Sequence, residues 1–357
     1  MPRPPKPDIF ETRLADAIDQ GGLLLPGDSV VVGFSAGPDS CALLAGLAKL
    51  AFDPARNYRV IACHLDHALR ETSAEEANFA RALAGQLGVG EGNFISARVD
   101  IAKLAREKSQ GIEATARLAR YEFFESVCAQ QNCRHIATGH HADDQAETVL
   151  FRVLRGTGLG GLAGIPAKRE HQNSANIGDD FTIIRPMLTI SRRAIIEYLT
   201  RRKISWVTDS SNADSKYRRN FIRNELLPLV REKLSQTPEL SLTRLASQAD
   251  QANRFINSQA RARLENSLAL CTDKKVILDL SMFASGSQNQ LADEAIVRTT
   301  GLRILLEEMK LPLRDLTWEH LAKIDYISTA GQPGGAVNLP AGAKARRTKN
   351  QLIITLL

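Results

Sequence analysis

The sequence predicts an α/β fold: a doubly wound, mostly parallel sheet followed by a smaller C-terminal α+β domain. Short strands rich in β-branched residues alternate with amphipathic helices as far as Arg155. Polar, reactive side chains fall at three of the first four strand ends, where open α/β sheets bind ligands. After about Leu234 the alternation stops, and helices and short strands of a different texture follow.

Each element has a local reason. Phe10, Leu14, Ala17 and Ile18 have helical spacing, and Gly21-Gly22 ends that helix. SVVVG (29–33) reads as a strand and Asp39 to Leu50 as a helix. The same pair recurs as RVIACH (59–64) with Ser73 to Leu87, and NFISARV (93–99) with Ile112 to Gln130. It recurs again as RHIATG (134–139) with a helix from about Ala142 to Arg155. FTIIR (181–185) adds a strand before Pro186, and Ser191 opens a helix with Ile195, Ile196 and Leu199 on its apolar side. Beyond Leu234, residues 235–270 read as helical and VILDL (276–280) as a strand. Two helices near 290–310 and 315–328 and short strands in GAVNLP and QLIITLL complete the chain. The expected organisation is a disordered tail at 1–7, a catalytic domain at 8–234 and an accessory domain at 235–357.

Composition narrows the class. Of 357 residues, 43% are hydrophobic and 24% charged, which excludes wholesale disorder. The most apolar window, Ser29 to Ala48, is broken by Gly33, Gly37, Pro38 and Gly46, so no membrane span is expected. The opening MPRPPKP lacks the apolar region of a secretory signal. Five cysteines without a CxxC pair point to a reducing cytoplasm rather than to disulfides or a structural zinc. The net charge is +6, yet Arg185 to Lys233 alone holds twelve basic and five acidic residues. The excess is therefore concentrated in one basic segment, which favours a polyanionic partner.

Three motifs carry chemistry. In GFSAGPDSCALL (33–44) a buried strand runs through small residues into a helix, leaving backbone N–H groups free for phosphate. Ser35 and Ser40 add hydroxyl donors, and Asp39 reads as a carboxylate facing Mg2+, because it would otherwise repel phosphate. The lysine of a Walker loop is absent. HLDHALR (64–70) follows the second strand, with His67 as a possible substrate contact. TGHHADDQAETVLFRVLRGTG (138–158) clusters His140, His141, Asp143 and Asp144 at a strand–helix junction, with Ala146, Val149, Leu150 and Val153 as the buried stripe. In EATARLARYEFF, Arg117 is available for phosphate or for an ion pair with Glu113. Arg218, Arg219 and Arg223 follow an Asp/Ser/Asn turn and suit RNA or ATP phosphates. The run Gly156-x-Gly158-x-x-Gly161 follows a helix, so it is read as a mobile, close-packed loop rather than a dinucleotide site.

SAGPDS resembles the S-G-G-x-D-S loop of the ATP pyrophosphatases (the PP-loop). With HLDHALR, EATARLARYEFF, the TGHHADDQ helix, RPMLTISRRAIIEYL and RRNFIRNELLP in order over about residues 28–230, the chain is similar to bacterial tRNA(Ile)-lysidine synthases. The resemblance implies ATP, Mg2+, free L-lysine and the isoleucine tRNA with a CAU anticodon, with no obligate protein partner. It implies that ATP adenylates the wobble cytidine and that lysine then displaces AMP. ATP would sit on Ser35, Ala36, Gly37, Pro38, Asp39 and Ser40. Asp39, Arg117, Asp144, Arg219 and Arg223 would be the catalytic set, with His67, His140 and His141 as possible contacts. Two residues depart from the pattern. Ala36 replaces a glycine, and alanine is accommodated there if φ is negative. Phe221 stands where arginine is frequent. Three rival readings fit fewer residues. A PP-loop tRNA thiolase would need reactive cysteines, and Cys128-x4-Cys133 is the one close pair. A two-metal phosphoesterase would use His64, Asp66, His67, His140, His141, Asp143 and Asp144. A non-catalytic RNA-binding module would leave the strand-end carboxylates without a role.

Overall fold

Val30, Val31 and Val32 are β-branched, successive and fully buried, as a strand covered on both faces must be. They form β1 (Ser29–Gly33) in a computed structural model that describes residues 8–68, 73–171, 180–207, 218–285, 294–312 and 315–356. The tail at 1–7, Arg70 of the second motif and the turn at 209–217 lie outside the described residues.

The other strands of the first sheet are β2 (Arg59–Asp66), β3 (Phe94–Arg98), β4 (His135–Ala137), β5 (Lys168–His171) and β6 (Phe181–Ile184). Their order is β3-β2-β1-β4-β6-β5, parallel except for β5 against β6. The helices are α1 (Ile9–Gly21), α2 (Pro38–Ala51), α3 (Ser73–Gln86), α4 (Ile101–Glu107), α5 (Ile112–Gln130), α6 (Ala142–Leu154), α7 (Leu159–Leu162) and α8 (Arg192–Arg202). Gly22 ends α1 in the left-handed conformation, and Ser191 caps α8 by accepting from the Ala194 N–H. Two apolar cores cover the sheet. One unites α1, α2 and α8 with β1 and includes Leu14, Leu43 and Leu199; the other packs Phe124 and Val127 of α5 on Val31 and Ile136. Phe10 of α1 stacks on Tyr198 of α8, with ring centroids 4.2 Å apart.

After α8 come α9 (Arg218–Phe221), a π-helical turn (Ile222–Leu226) and α10 (Leu227–Lys233). Pro228 has no N–H to offer the preceding turn, and the widened turn sits immediately before it. The next helix, α11 (Pro238–Ser267), crosses from one compact unit, Met1–Ser247, into a second, Gln248–Leu357. The second unit holds α12 (Leu280–Phe283), α13 (Ala295–Glu308) and α14 (Trp318–Thr329). Its strands are β7 (Leu268–Cys271), β8 (Lys275–Asp279), β9 (Ala336–Asn338), β10 (Lys344–Arg347) and β11 (Gln351–Thr355), in an antiparallel sheet of order β7-β8-β11-β10-β9. Leu302, Leu305, Ile324, Leu352 and Ile354 form its core, and Arg298 pairs with Asp325 inside it at 2.6 Å. No helix among the described residues is long and apolar enough to cross a membrane.

One sequence expectation for α6 shifts. Val153, placed in the buried stripe of α6, is 46% exposed, because the end of that helix runs past the core. Gln145 and Glu147 are buried instead, each satisfied by partners from distant segments.

Candidate active site

Strand β1 has β2 on one side and β4 on the other, so the loops leaving β1 and β4 diverge at the carboxyl edge of the sheet. This is the switch point of a doubly wound sheet, and a crevice opens there. Its cavity of about 760 Å³ is lined by Ser35, Asp39 and Ser40 after β1, by Asp66 at the end of β2 and by His67 after it. Arg117, Arg120 and Tyr121 of α5, with Thr138, Gly139, His140 and Asp144 after β4, also line it.

The loop after β1 holds its own shape. The Ser35 N–H donates to Ser40 Oγ at 3.2 Å, and the Ser40 hydroxyl donates to the Gly37 carbonyl at 2.9 Å. Ser35 Oγ lies 3.3 Å from Ser40 Oγ and accepts from the Gly37 N–H at 3.4 Å, so both serines brace the loop while lining the cavity. Gly139 allows the β4 loop to approach this one. A Cβ at Gly139 would lie 3.2 Å from the Asp39 carbonyl carbon and 3.3 Å from the Ser40 nitrogen. The N-termini of α6 and α8 are tied together: the Ala142 N–H donates to the Ile190 carbonyl at 2.9 Å, and the Arg192 N–H to Asp143 Oδ2 at 2.8 Å. Helix N-termini carry partial positive charge, which favours both the carboxylates placed there and a phosphate ligand.

Position 36 requires a correction. Ala36 has φ 58°, in the left-handed region, rather than a negative φ. Its carbonyl accepts from the Val207 N–H at 2.9 Å and from the Cys41 thiol at 3.3 Å, and its methyl group is buried. These contacts hold a conformation that costs a non-glycine residue about 1–2 kcal/mol.

Buried His141 stands between two half-buried carboxylates, Asp39 and Asp144. His141 Nε2 lies 3.6 Å from Asp39 Oδ1 and 3.5 Å from Asp144 Oδ2. Burial raises the Asp39 carboxyl above its ordinary value; Asp144 adds to this, while His141, Arg192 and Arg223 offset it in part. Burial acts upward on Asp144 too, but His141, His140, the His141 N–H and Arg223 outweigh it and hold that carboxyl low. Asp39 Oδ1 is buried without a hydrogen-bond partner. An orphaned carboxylate oxygen beside a second, ionised carboxylate fits a hard cation completed by water and phosphate oxygens. Among the described residues no three His, Cys, Asp or Glu side chains gather as a metal-ligand group, so the ligand set of a two-metal phosphoesterase is not assembled.

The remaining predicted residues separate into those at the cavity and those behind it. Arg117 and His140 line it; Arg117 lies 5.2 Å over the Tyr121 ring rather than pairing with Glu113, and His140 Nδ1 is 2.9 Å from Thr138 Oγ1. His67 Nε2 accepts from Arg120 Nη2 at 3.1 Å, and burial, with Arg120, lowers its pKa. Arg223, on the π turn, stands behind Asp144: Nη2 donates to Asp144 Oδ1 at 2.9 Å and Nε to Glu147 Oε1 at 2.5 Å. The side chain of Arg219 lies outside the described residues. Phe221 is 47% exposed.

Arg120, three residues after Arg117 and at the helical spacing read from the sequence, also lines the cavity. Sequence reasoning missed Tyr121, Glu147 and Arg192. Glu147 carried a signal, since it lies three residues after Asp144 on the same helix. The others become visible only through tertiary contacts. The Gly-rich run is not close-packed at its start: residues 153–158 are exposed and a Cβ at Gly156 or Gly158 would meet open space, whereas further on Arg152 Nη1 donates to the Gly161 and Gly164 carbonyls and Gln145 clasps Ile165. Cys128 and Cys133 are buried, and the Cys133 thiol donates to the Ser29 carbonyl at 2.9 Å. Ser29 begins β1, so this pair lies at the edge of the sheet opposite the cavity.

The match to known proteins agrees with this geometry. Residues 8–230 match the model of the PP-loop domain family. A tRNA(Ile)-lysidine synthase of Chlorobaculum tepidum is 35% identical over 256 residues, covering 71% of this chain and 72% of that protein. One of Bacillus cereus is 29% identical over 344 residues, covering 95% of this chain and 68% of that protein. Among solved structures, the U34-tRNA thiolase NcsA of Methanococcus maripaludis, with its [4Fe-4S] cluster, superposes with a TM-score of 0.53 over 67% of this chain and 76% of its own. At 14% identity that likeness concerns the fold alone.

Proposed function

Because the chain belongs to the tRNA(Ile)-lysidine synthase family, with a PP-loop domain over residues 8–230, we propose how its site performs ATP-dependent lysidine formation on tRNA(Ile). The substrates in this reading are ATP, free L-lysine and the wobble cytidine of the CAU anticodon. The carbon-2 oxygen of the cytidine attacks the α-phosphorus of ATP, and the bond to the β-phosphate breaks to release pyrophosphate. The lysine side-chain amine then attacks carbon 2. AMP leaves with the former carbonyl oxygen, and the nitrogen gives up a proton.

The observation that carries this reading is the pairing of a phosphate cradle with two carboxylates in one cavity. Residues 35–40 present the α2 N-terminus to the ATP phosphates. Asp39, whose Oδ1 is buried without a hydrogen-bond partner, would hold Mg2+, which neutralises phosphate charge when bound. Arg117 faces the same cavity and meets negative charge developing on the phosphates. Asp144, held ionised by its neighbours, orients the lysine amine and accepts its proton. Arg223 keeps Asp144 in place, so its role is positioning. His67 and His140 contact base or ribose, while His141, 1% exposed, orders the two carboxylates. Arg219 would meet tRNA or ATP phosphates. The anticodon is a loop, so the target base can leave its stack at low cost. The basic 185–234 segment and the accessory domain from about 235 would bind the tRNA backbone.

The test follows α-labelled ATP with unmodified CAU tRNA, with and without lysine. AMP released only when tRNA and lysine are both present, with an adenylated tRNA accumulating when lysine is withheld, supports the scheme. ADP as product contradicts it. Asp144→Asn or Arg117→Ala retaining full lysine transfer would remove those residues from their roles.

A further inference from the structure

Arg192 begins α8, and its side chain is 46% exposed. Its backbone is anchored, since the N–H donates to Asp143 Oδ2 and the preceding Ser191 caps the helix. The guanidinium reaches Asp39, which lines the cavity, with Nη1 3.5 Å from Asp39 Oδ2. Its neighbour Arg193 turns away to pair with Glu197 at 2.8 Å. A separation of 3.5 Å is too long for a strong hydrogen bond, so the Arg192–Asp39 pair is a loose one that can be exchanged. Asp39 also stands at the start of α2, where the phosphates of ATP are read to lie.

Resting on the ATP reading above, we propose that Arg192 is a phosphate-binding residue of the adenylation step. It balances Asp39 in the free protein and transfers to the β- and γ-phosphate oxygens when ATP brings a cation to that carboxylate. As the α-phosphorus bonds to the cytidine oxygen, the electrons of the breaking bond pass to pyrophosphate. Arg192 stabilises that charge and holds the leaving group. An arginine suits this role because its planar donor fork can bind two phosphate oxygens at once.

The experiment measures ATP KM, single-turnover adenylation of CAU tRNA, inhibition by added pyrophosphate, and lysine KM in the full chain and in R192Q and R192K. A charge-assisted contact of this kind predicts that R192Q weakens pyrophosphate inhibition and adenylation by about 10- to 100-fold. R192K keeps part of both, and lysine KM stays within about twofold. Pyrophosphate inhibition of R192Q equal to that of the unaltered chain overturns the inference. So does an R192Q defect confined to lysine KM or accompanied by a large loss of thermal stability. If the unaltered chain makes no AMP and pyrophosphate, the ATP reading fails and takes this inference with it. Normal turnover with a silent R192Q removes this inference alone.

Discussion

Arg223→Met separates positioning from contact with substrate. Arg223 bridges Asp144 and Glu147, and Glu147 is 1% exposed. Removing the guanidinium takes a close ion-pair contact away from a buried carboxylate. Breaking such a pair costs about 3–5 kcal/mol in a fully buried site. Arg223 is itself 35% exposed, so solvent screens part of the interaction and the loss here is about 2–3 kcal/mol. For a unit of this size each kcal/mol moves Tm by about 2–4 °C, so the variant should melt about 4–12 °C lower. The double variant Arg223→Met/Glu147→Gln removes the buried carboxylate charge as well and should recover part of that stability. The assay is thermal unfolding of the full chain at pH 7, with ATP and lysine KM measured in parallel. Lysine transfer should fall in both variants, because Asp144 loses the Arg223 contact on Oδ1 in each and keeps only those on its other side, such as the His141 N–H. A single variant melting within about 1 °C of the unaltered chain, or a double variant no more stable than the single, would refute the reasoning.

Further outcomes follow from particular contacts. Ala36→Gly relieves about 1–2 kcal/mol of left-handed strain but loses a buried methyl group and gains unfolded-state entropy, so stability should change by less than about 1 kcal/mol. Ala36→Val, β-branched at the same φ, should cost more than about 2 kcal/mol in denaturant unfolding. Gly139→Ala places a Cβ 3.2–3.3 Å from the backbone of Asp39 and Ser40, and should raise ATP KM by about tenfold while leaving lysine KM nearly unchanged. Burial pushes the Cys41 and Cys63 thiols up to about 12, so iodoacetamide at pH 8 should modify exposed Cys271 first and reach those two only on unfolding. Peptide mapping of the labelled protein checks the order.

The first sheet was legible because each of its main elements carries a local pattern. Ser29–Gly33 and Ile112–Gln130 end where the periodicity places them. Short elements escaped: α4 has seven residues and β5 four, too few for a period to declare itself. β5 is formed from Lys-Arg-Glu-His, and pairing with β6 rather than strand propensity holds it. The site divides in the same way. Asp39, His140 and Asp144 stand in contiguous motifs at strand ends, and topology alone gathers them. The Arg223–Glu147 pair spans 76 residues, and the Arg192–Asp39 pair joins two helix starts that no local pattern connects. The sign of φ at Ala36 depends on Val207 and Cys41 gripping its carbonyl, which a single residue letter does not record.

The most direct measurement is nucleoside mass analysis of CAU tRNA after incubation with the protein, ATP and lysine. The mechanism predicts one modified cytidine, at the wobble position, heavier by lysine less one water, with AMP formed in equal amount and both lost in Asp144→Asn. An unmodified cytidine alongside continued ATP turnover, or full modification by Asp144→Asn, would contradict the account.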